Sequence, residues 1–155
     1  MSAIGGSSVQ PPAVVRSWKI GGYPLSKGLT REDYRRSFTK MVALVGKLHQ
    51  AGVRIVAGTD GYGLELVREL ELYQQAGLSN AQALQTATIV PARMTGMDGR
   101  TGSIEAGKTA DIILVDGDVS KDLANLRHVD TVFLDGYRLS GSALRTASGL
   151  SGMPK

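Results

Sequence analysis

The stretch Val53-Arg54-Ile55-Val56-Ala57-Gly58-Thr59-Asp60 decides how this chain is read. Val53, Ile55 and Val56 are β-branched, Arg54 is the only charge before Gly58, and the run is too short for a helix. Parallel strands covered on both faces have this character, so a strand is predicted over residues 53–57. In a (β/α) barrel the carboxyl ends of the strands carry the active site, and Asp60 would then stand at a catalytic mouth. The same carboxylate reads equally as a cap for the next helix, or as part of a turn that begins at Gly58.

Working outward, the order is helix, strand, Gly-Thr-Asp, helices, and then a glycine-rich β segment. Tyr34, Phe38, Met41, Val42, Val45 and Leu48 recur at helical spacing and predict an amphipathic helix over Arg31–Gln50. Thr30 and Asp33 resemble a capping box with Asp in place of Glu or Gln, and Gly52 is a natural stop. A second helix is predicted over residues 64–75, ending at Gly77. Ser79 with Gln82 opens a third, which carries Ala83, Leu84 and Ala87 inward. Pro91 begins a further helical turn, because its missing N–H costs nothing at a first helical position. Glu65 and Glu69 read as a surface pair relieved by Arg68, with Glu71 about 200° from Glu69 around the helix.

From Thr101 the pattern changes to short apolar runs punctuated by glycine, notably Ile112–Val115 and residues 132–134. Asp135-Gly136 between Val132-Phe133-Leu134 and Tyr137-Arg138-Leu139 predicts a hairpin, since both turn residues tolerate positive φ. Asp111 and Asp116 flank the first of these strands and read as turn caps. Residues 141–155 are expected to be a flexible tail, and residues 1–29, with Trp18 and Tyr23, an irregular loop or lid.

A resemblance follows from several of these strings taken in order. Residues 51–60, Arg68-Glu69-Leu70-Glu71-Leu72, Ala76-Gly77-Leu78-Ser79, Ala81-Gln82-Ala83-Leu84 and Ala87-Thr88-Ile89-Val90-Pro91-Ala92-Arg93 closely resemble the C-terminal part of the metal-dependent amidohydrolase superfamily. The likeness is to the branch that contains imidazolonepropionase-like enzymes and related prolidases. Gly102-Ser103-Ile104-Glu105-Ala106-Gly107 and Ala110-Asp111-Ile112 resemble that family's return into a small β-sandwich. The resemblance implies an α/β fold: the last β/α units of a (β/α)8 TIM-like barrel over residues 30–100, then a composite β-sandwich segment over residues 101–140. It implies hydrolysis of C–N bonds in an amide, cyclic amide or dipeptide, with a divalent metal, zinc by expectation. In it Asp60 is both metal ligand and catalytic base, and Tyr62 in the loop Gly61-Tyr62-Gly63 is a substrate-binding candidate. Arg93 would pack between barrel and β domain.

The family's metal site is built mostly from histidines, and this chain has only His49 and His128. His49 lies in the first helix and His128 near the β module's strand pair, so neither is expected at a metal. Catalytic zinc normally takes about three protein ligands, and a barrel takes about 250 residues, against 155 here. The expectation is therefore a C-terminal portion of a longer amidohydrolase, inactive alone. The missing N-terminal barrel half would come from the same or a separate chain. A non-catalytic interaction module and one half of a split enzyme are the alternatives.

Composition excludes other classes. There is no cysteine, so disulfides and thiolate ligands are ruled out. The net charge of +4 is scattered, without the clustered cations and exposed aromatics of a nucleic-acid surface. No stretch approaches the roughly 18 apolar residues of a membrane span, and residues 1–15 lack the pattern of a signal peptide. Compartment stays open. Unpartnered edges and apolar helix faces lead to an expectation of self-association.

Overall fold

A computed structural model describes residues 26–60 and 65–148. Helix α1 spans Arg31–Gln50 and opens on the expected box: the Thr30 hydroxyl accepts from the Asp33 N–H, and the Asp33 carboxylate accepts from the Thr30 N–H at 2.9 Å. These Thr30 contacts, its side chain first, hold the Asp33 carboxyl below the usual range. The helix ends in a Schellman motif. Gly52, with φ 81, donates to the His49 carbonyl, and Val53 N–H donates to Leu48 O at 3.0 Å. A side chain at Gly52 would be strained in this left-handed conformation.

Helix α2 is Leu66–Gln75 and ends the same way, with Gly77 at φ 106 and Leu78 N–H on the Tyr73 carbonyl. Its predicted start at Leu64 lies outside the described residues. Helix α3 is Asn80–Thr86, with Ser79 and Gln82 forming the reciprocal cap. Helix α4 is Ile89–Met94. It starts two residues before Pro91, which therefore occupies the third helical position rather than the first. The first four N–H groups of a helix have no internal partner, so proline is tolerated there as well.

The β module is a three-stranded antiparallel sheet in the order β1 (Ile112–Val115), β2 (Val129–Leu134), β3 (Tyr137–Ser140). The hairpin is the predicted one: Asp135 has φ 50, Gly136 has φ 81, and Leu134 pairs with Tyr137. Asp111 secures it, its carboxylate accepting from the Asp135 N–H at 2.9 Å and from the Thr101 hydroxyl at 3.4 Å. A 3-10 helix, Leu123–Arg127, links β1 to β2. The stretch expected to be a tail begins with helix α5, Gly141–Ala147, because the Ser140 hydroxyl accepts from the Ala143 N–H and starts a regular turn.

The core joins α2, α3 and the 3-10 helix through Leu70, Tyr73, Leu78, Ala83 and Leu123. Burying each leucine contributes about 1.5–3 kcal/mol. Glu71 ties the same elements by charge. It accepts from Arg68 at 3.1 Å and, more closely, from Arg127 of the 3-10 helix. Burial alone would push the Glu71 carboxyl up, but the hydrogen bonds from Arg127 and Arg68 outweigh it and leave the group below its ordinary value. The expected relief of a Glu65–Glu69 pair by Arg68 is thus corrected, because Arg68 turns to Glu71. On α1 only Val42 and Val45 of the expected apolar face, with Gly46, are covered among the described residues; Phe38 and Met41 stay exposed.

Candidate active site

Residues 53–57 pair with no other strand among the described residues, so the predicted strand is not formed there. A strand is defined by the ladder it shares, and β-branched composition does not supply a neighbour. The expected burial on both faces is also reduced to one. Ile55 and Ala57 pack against the core, whereas Val53 and Val56 are exposed.

What fixes this segment is a set of bonds from the helices behind it. The Tyr73 hydroxyl approaches the Val56 carbonyl at 3.3 Å, and Ala57 N–H donates to Thr86 O at 2.9 Å. Gly58 N–H donates to Glu69 Oε2 at 3.0 Å, while Glu69 Oε1 accepts from the Tyr73 hydroxyl. Thr86 is buried and donates its own hydroxyl to Ala83 O at 2.6 Å. Burial first, and the Glu69 carboxylate second, push the Tyr73 phenol up from its ordinary value. Glu69 is half-buried and committed to these bonds, not a member of a surface pair.

Asp60 follows two residues later, exposed and in the left-handed region at φ 50. It does not cap α2: the residue at that cap is Glu65, without a side-chain cap bond. Asp60 makes no hydrogen bond or ion pair with another described residue. Tyr62 lies outside the described residues, as do Trp18 and Tyr23. His49 sits half-buried in the last turn of α1, and His128 ends the 3-10 helix, its carbonyl accepting from Asp116 N–H at 2.9 Å. Arg93 is exposed, and its charge acts on Glu105.

No group of three or more His, Cys, Asp or Glu that could hold a metal occurs among the described residues. One exposed carboxylate does not make such a site, so these residues do not by themselves fit a catalytic metal. An open groove of about 530 Å³ between α4 and β1, lined by residues such as Ala92, Ile104 and Ile113, does not include Asp60. The roles of Glu69, Tyr73 and Thr86 escape a reading of the sequence. The spacing of Glu69 and Tyr73 marks them as helix neighbours, but nothing local points either of them at residues 56–58.

A model of the amidohydrolase family matches residues 26–139, which include the Asp60 segment and the whole sheet up to Leu139. The chain belongs to the amidohydrolase family. Within it, the chain is similar to the 5-methylthioadenosine/S-adenosylhomocysteine deaminase of Moorella thermoacetica, with 35% identity over 120 residues, 61% of this chain and 28% of that protein. It is 31% identical over 69 residues to the N-acetylgalactosamine-6-phosphate deacetylase of Escherichia coli O157:H7, covering 44% of this chain and 16% of the relative. A Xaa-Pro dipeptidase crystallised with methionine in its active site superposes with TM-score 0.62 at 32% identity, over 65% of this chain and 26% of that one. A prolidase complexed with N-methylphosphonate-L-proline superposes with TM-score 0.59 at 25% identity, over 73% and 30%. This amidohydrolase chain thus spans well under half the length of these relatives. The prolidase-like likeness is borne out, as is an α/β fold with a small antiparallel sheet.

Proposed function

We propose that this chain is the Asp60-bearing portion of a metal-dependent hydrolase that cleaves C–N bonds in small amide, cyclic amide or dipeptide substrates. The observation that carries the reading is the placement of Asp60 inside the family-matched region, at the end of a segment bonded to α2 and α3 at three successive residues. The names of the relatives support the reaction class, since deaminases, deacetylases and dipeptidases all break a bond from carbon to nitrogen. In this proposal residues 53–57 are a barrel strand whose neighbours lie outside the described residues, and β1–β3 are part of a composite sandwich.

Asp60 is assigned the role of accepting the proton of the attacking water, and of one ligand among several for a divalent metal, zinc by the family likeness. Such a metal, when bound by the complete ligand set, would supply acidified water near neutral pH. Its remaining ligands, and Tyr62 as a substrate contact, fall outside the described residues. The missing barrel half comes from the same or a separate chain.

The test is hydrolysis of a Xaa-Pro dipeptide with zinc present, using the chain with and without the rest of the barrel supplied in trans. Asp60→Asn should lower the rate by about 100-fold or more, the range of a positioned acid–base group. Activity unchanged in Asp60→Asn would end the assignment. A second reading, a non-catalytic interaction module, is favoured by the exposed apolar side chains Phe38, Met41 and Leu44 on α1. Self-association of the chain without any hydrolysis in either arrangement would select it.

A further inference from the structure

We propose that Glu69 is a positioning residue for Asp60, and that it acts by holding the backbone two residues before it; this rests on the reading of Asp60 given above. Asp60 has no hydrogen-bonded or ion-paired partner of its own among the described residues, so its placement depends on the chain that leads to it. The last anchor on that chain is the bond from Gly58 N–H to Glu69 Oε2, 3.0 Å long. Glu69 is not free to swing away, because its other oxygen accepts from the hydroxyl of Tyr73, a residue of the buried core. One carboxylate therefore joins the core to the segment end. A charged acceptor makes this the strongest kind of backbone tether, and small displacements of a reacting group are costly to rate.

A glutamine at this position keeps the essential geometry. Its amide oxygen accepts from Gly58 N–H, and its NH₂ faces the Tyr73 hydroxyl, which can turn its own hydrogen to the Val56 carbonyl 3.3 Å away. A proton-transferring Glu69 would not survive that change, whereas a positioning one does.

The experiment uses the whole chain, isotope-labelled, as wild type, Glu69→Ala, Glu69→Gln and Tyr73→Phe. Gly58 amide exchange should speed up about tenfold or more in Glu69→Ala while Leu70 and Leu78 amides stay protected. The Asp60 carboxyl carbon resonance should move in Glu69→Ala and return in Glu69→Gln. With the rest of the barrel supplied in trans and zinc present, and Met-Pro as substrate, Glu69→Ala should lower kcat by about 10–100-fold with KM little changed, and Glu69→Gln should recover most of it. Gly58 exchange unaffected by Glu69→Ala, or Gln behaving like Ala, overturns the proposal. So does loss of Leu70 and Leu78 protection together with Gly58, which marks a merely structural role. If Glu69→Ala does not fold, Tyr73→Phe takes its place: freeing Glu69 should speed Gly58 exchange, and no change would refute the tether. Absence of hydrolysis in wild type completed by the rest of the barrel sinks the reading of Asp60 as catalytic, while the Gly58 and Asp60 resonances still decide the tether.

Discussion

Gly46→Ala should destabilise this protein although it replaces a glycine in the interior of a helix. Two effects oppose each other. Alanine is better than glycine by about 1 kcal/mol in a helix interior. Against this, a Cβ on Gly46 would lie 2.2 Å from the Ala76 carbonyl oxygen, where real Cβ atoms keep at least 3.0 Å. The obstructing atom is backbone at the end of α2, not the tip of a flexible side chain, so α1 and α2 must part to make room. Overpacking of this kind costs about 1–3 kcal/mol, and the close backbone contact puts this site at the upper end. The net loss is then about 1–2 kcal/mol, a fall in Tm of about 2–8 °C for a chain of this size. Thermal unfolding followed by far-UV circular dichroism measures it. Ser37→Ala, at an exposed position of the same helix, is the control and should be neutral or slightly stabilising. A Tm for Gly46→Ala equal to or above wild type would refute the close packing of the two helices.

The Glu71 ion pair should give the fold an acid-sensitive component. The folded carboxyl is held below its ordinary value, so its stabilisation is present above the unfolded pKa of about 4.3 and is lost as pH falls through the folded value. Glu71→Gln should flatten that acid limb in denaturation midpoints measured from pH 7 to 3; an unchanged limb would exclude it. Tyr73 should be the opposite case. Its phenol is pushed up, so its contribution is intact below the unfolded pKa of about 10 and lost as pH rises through the folded value. Phenolate absorbance should show one late-titrating tyrosine that Tyr73→Phe removes, and a Tyr73→Phe titration identical to wild type would contradict this. Gly136→Ala, at φ 81, should cost about 1–2 kcal/mol for placing a side chain in the left-handed region; full retention of the denaturation midpoint would argue against the turn.

Legibility followed sequence distance. The capping boxes at Thr30 and Ser79 and the Asp135-Gly136 turn were readable because each is complete within a few residues. The family was readable too, since several short strings occur in the right order. Pro91 was misplaced by two residues because any position in the first turn of a helix accommodates it. Residues 53–57 carry strand chemistry, but among the described residues they meet no neighbouring strand. The contacts that shape the candidate site were hidden for the same reason: Gly58 meets Glu69 across 11 residues and Glu71 meets Arg127 across 56. At the site itself, Asp60 could be located as a position, whereas its support could not.

Helix α2 has a further consequence. Glu69 faces the Asp60 segment and Glu71 the 3-10 helix, two residues apart and so on nearly opposite flanks. The helix works as a strut loaded from both sides. A pull on the sheet side, transmitted by Arg127, reaches the Asp60 segment through one turn of rigid backbone. Substitutions at Arg127 and Glu69 are therefore expected to combine non-additively in a double-mutant cycle, so that a change at the 3-10 helix is felt at Gly58.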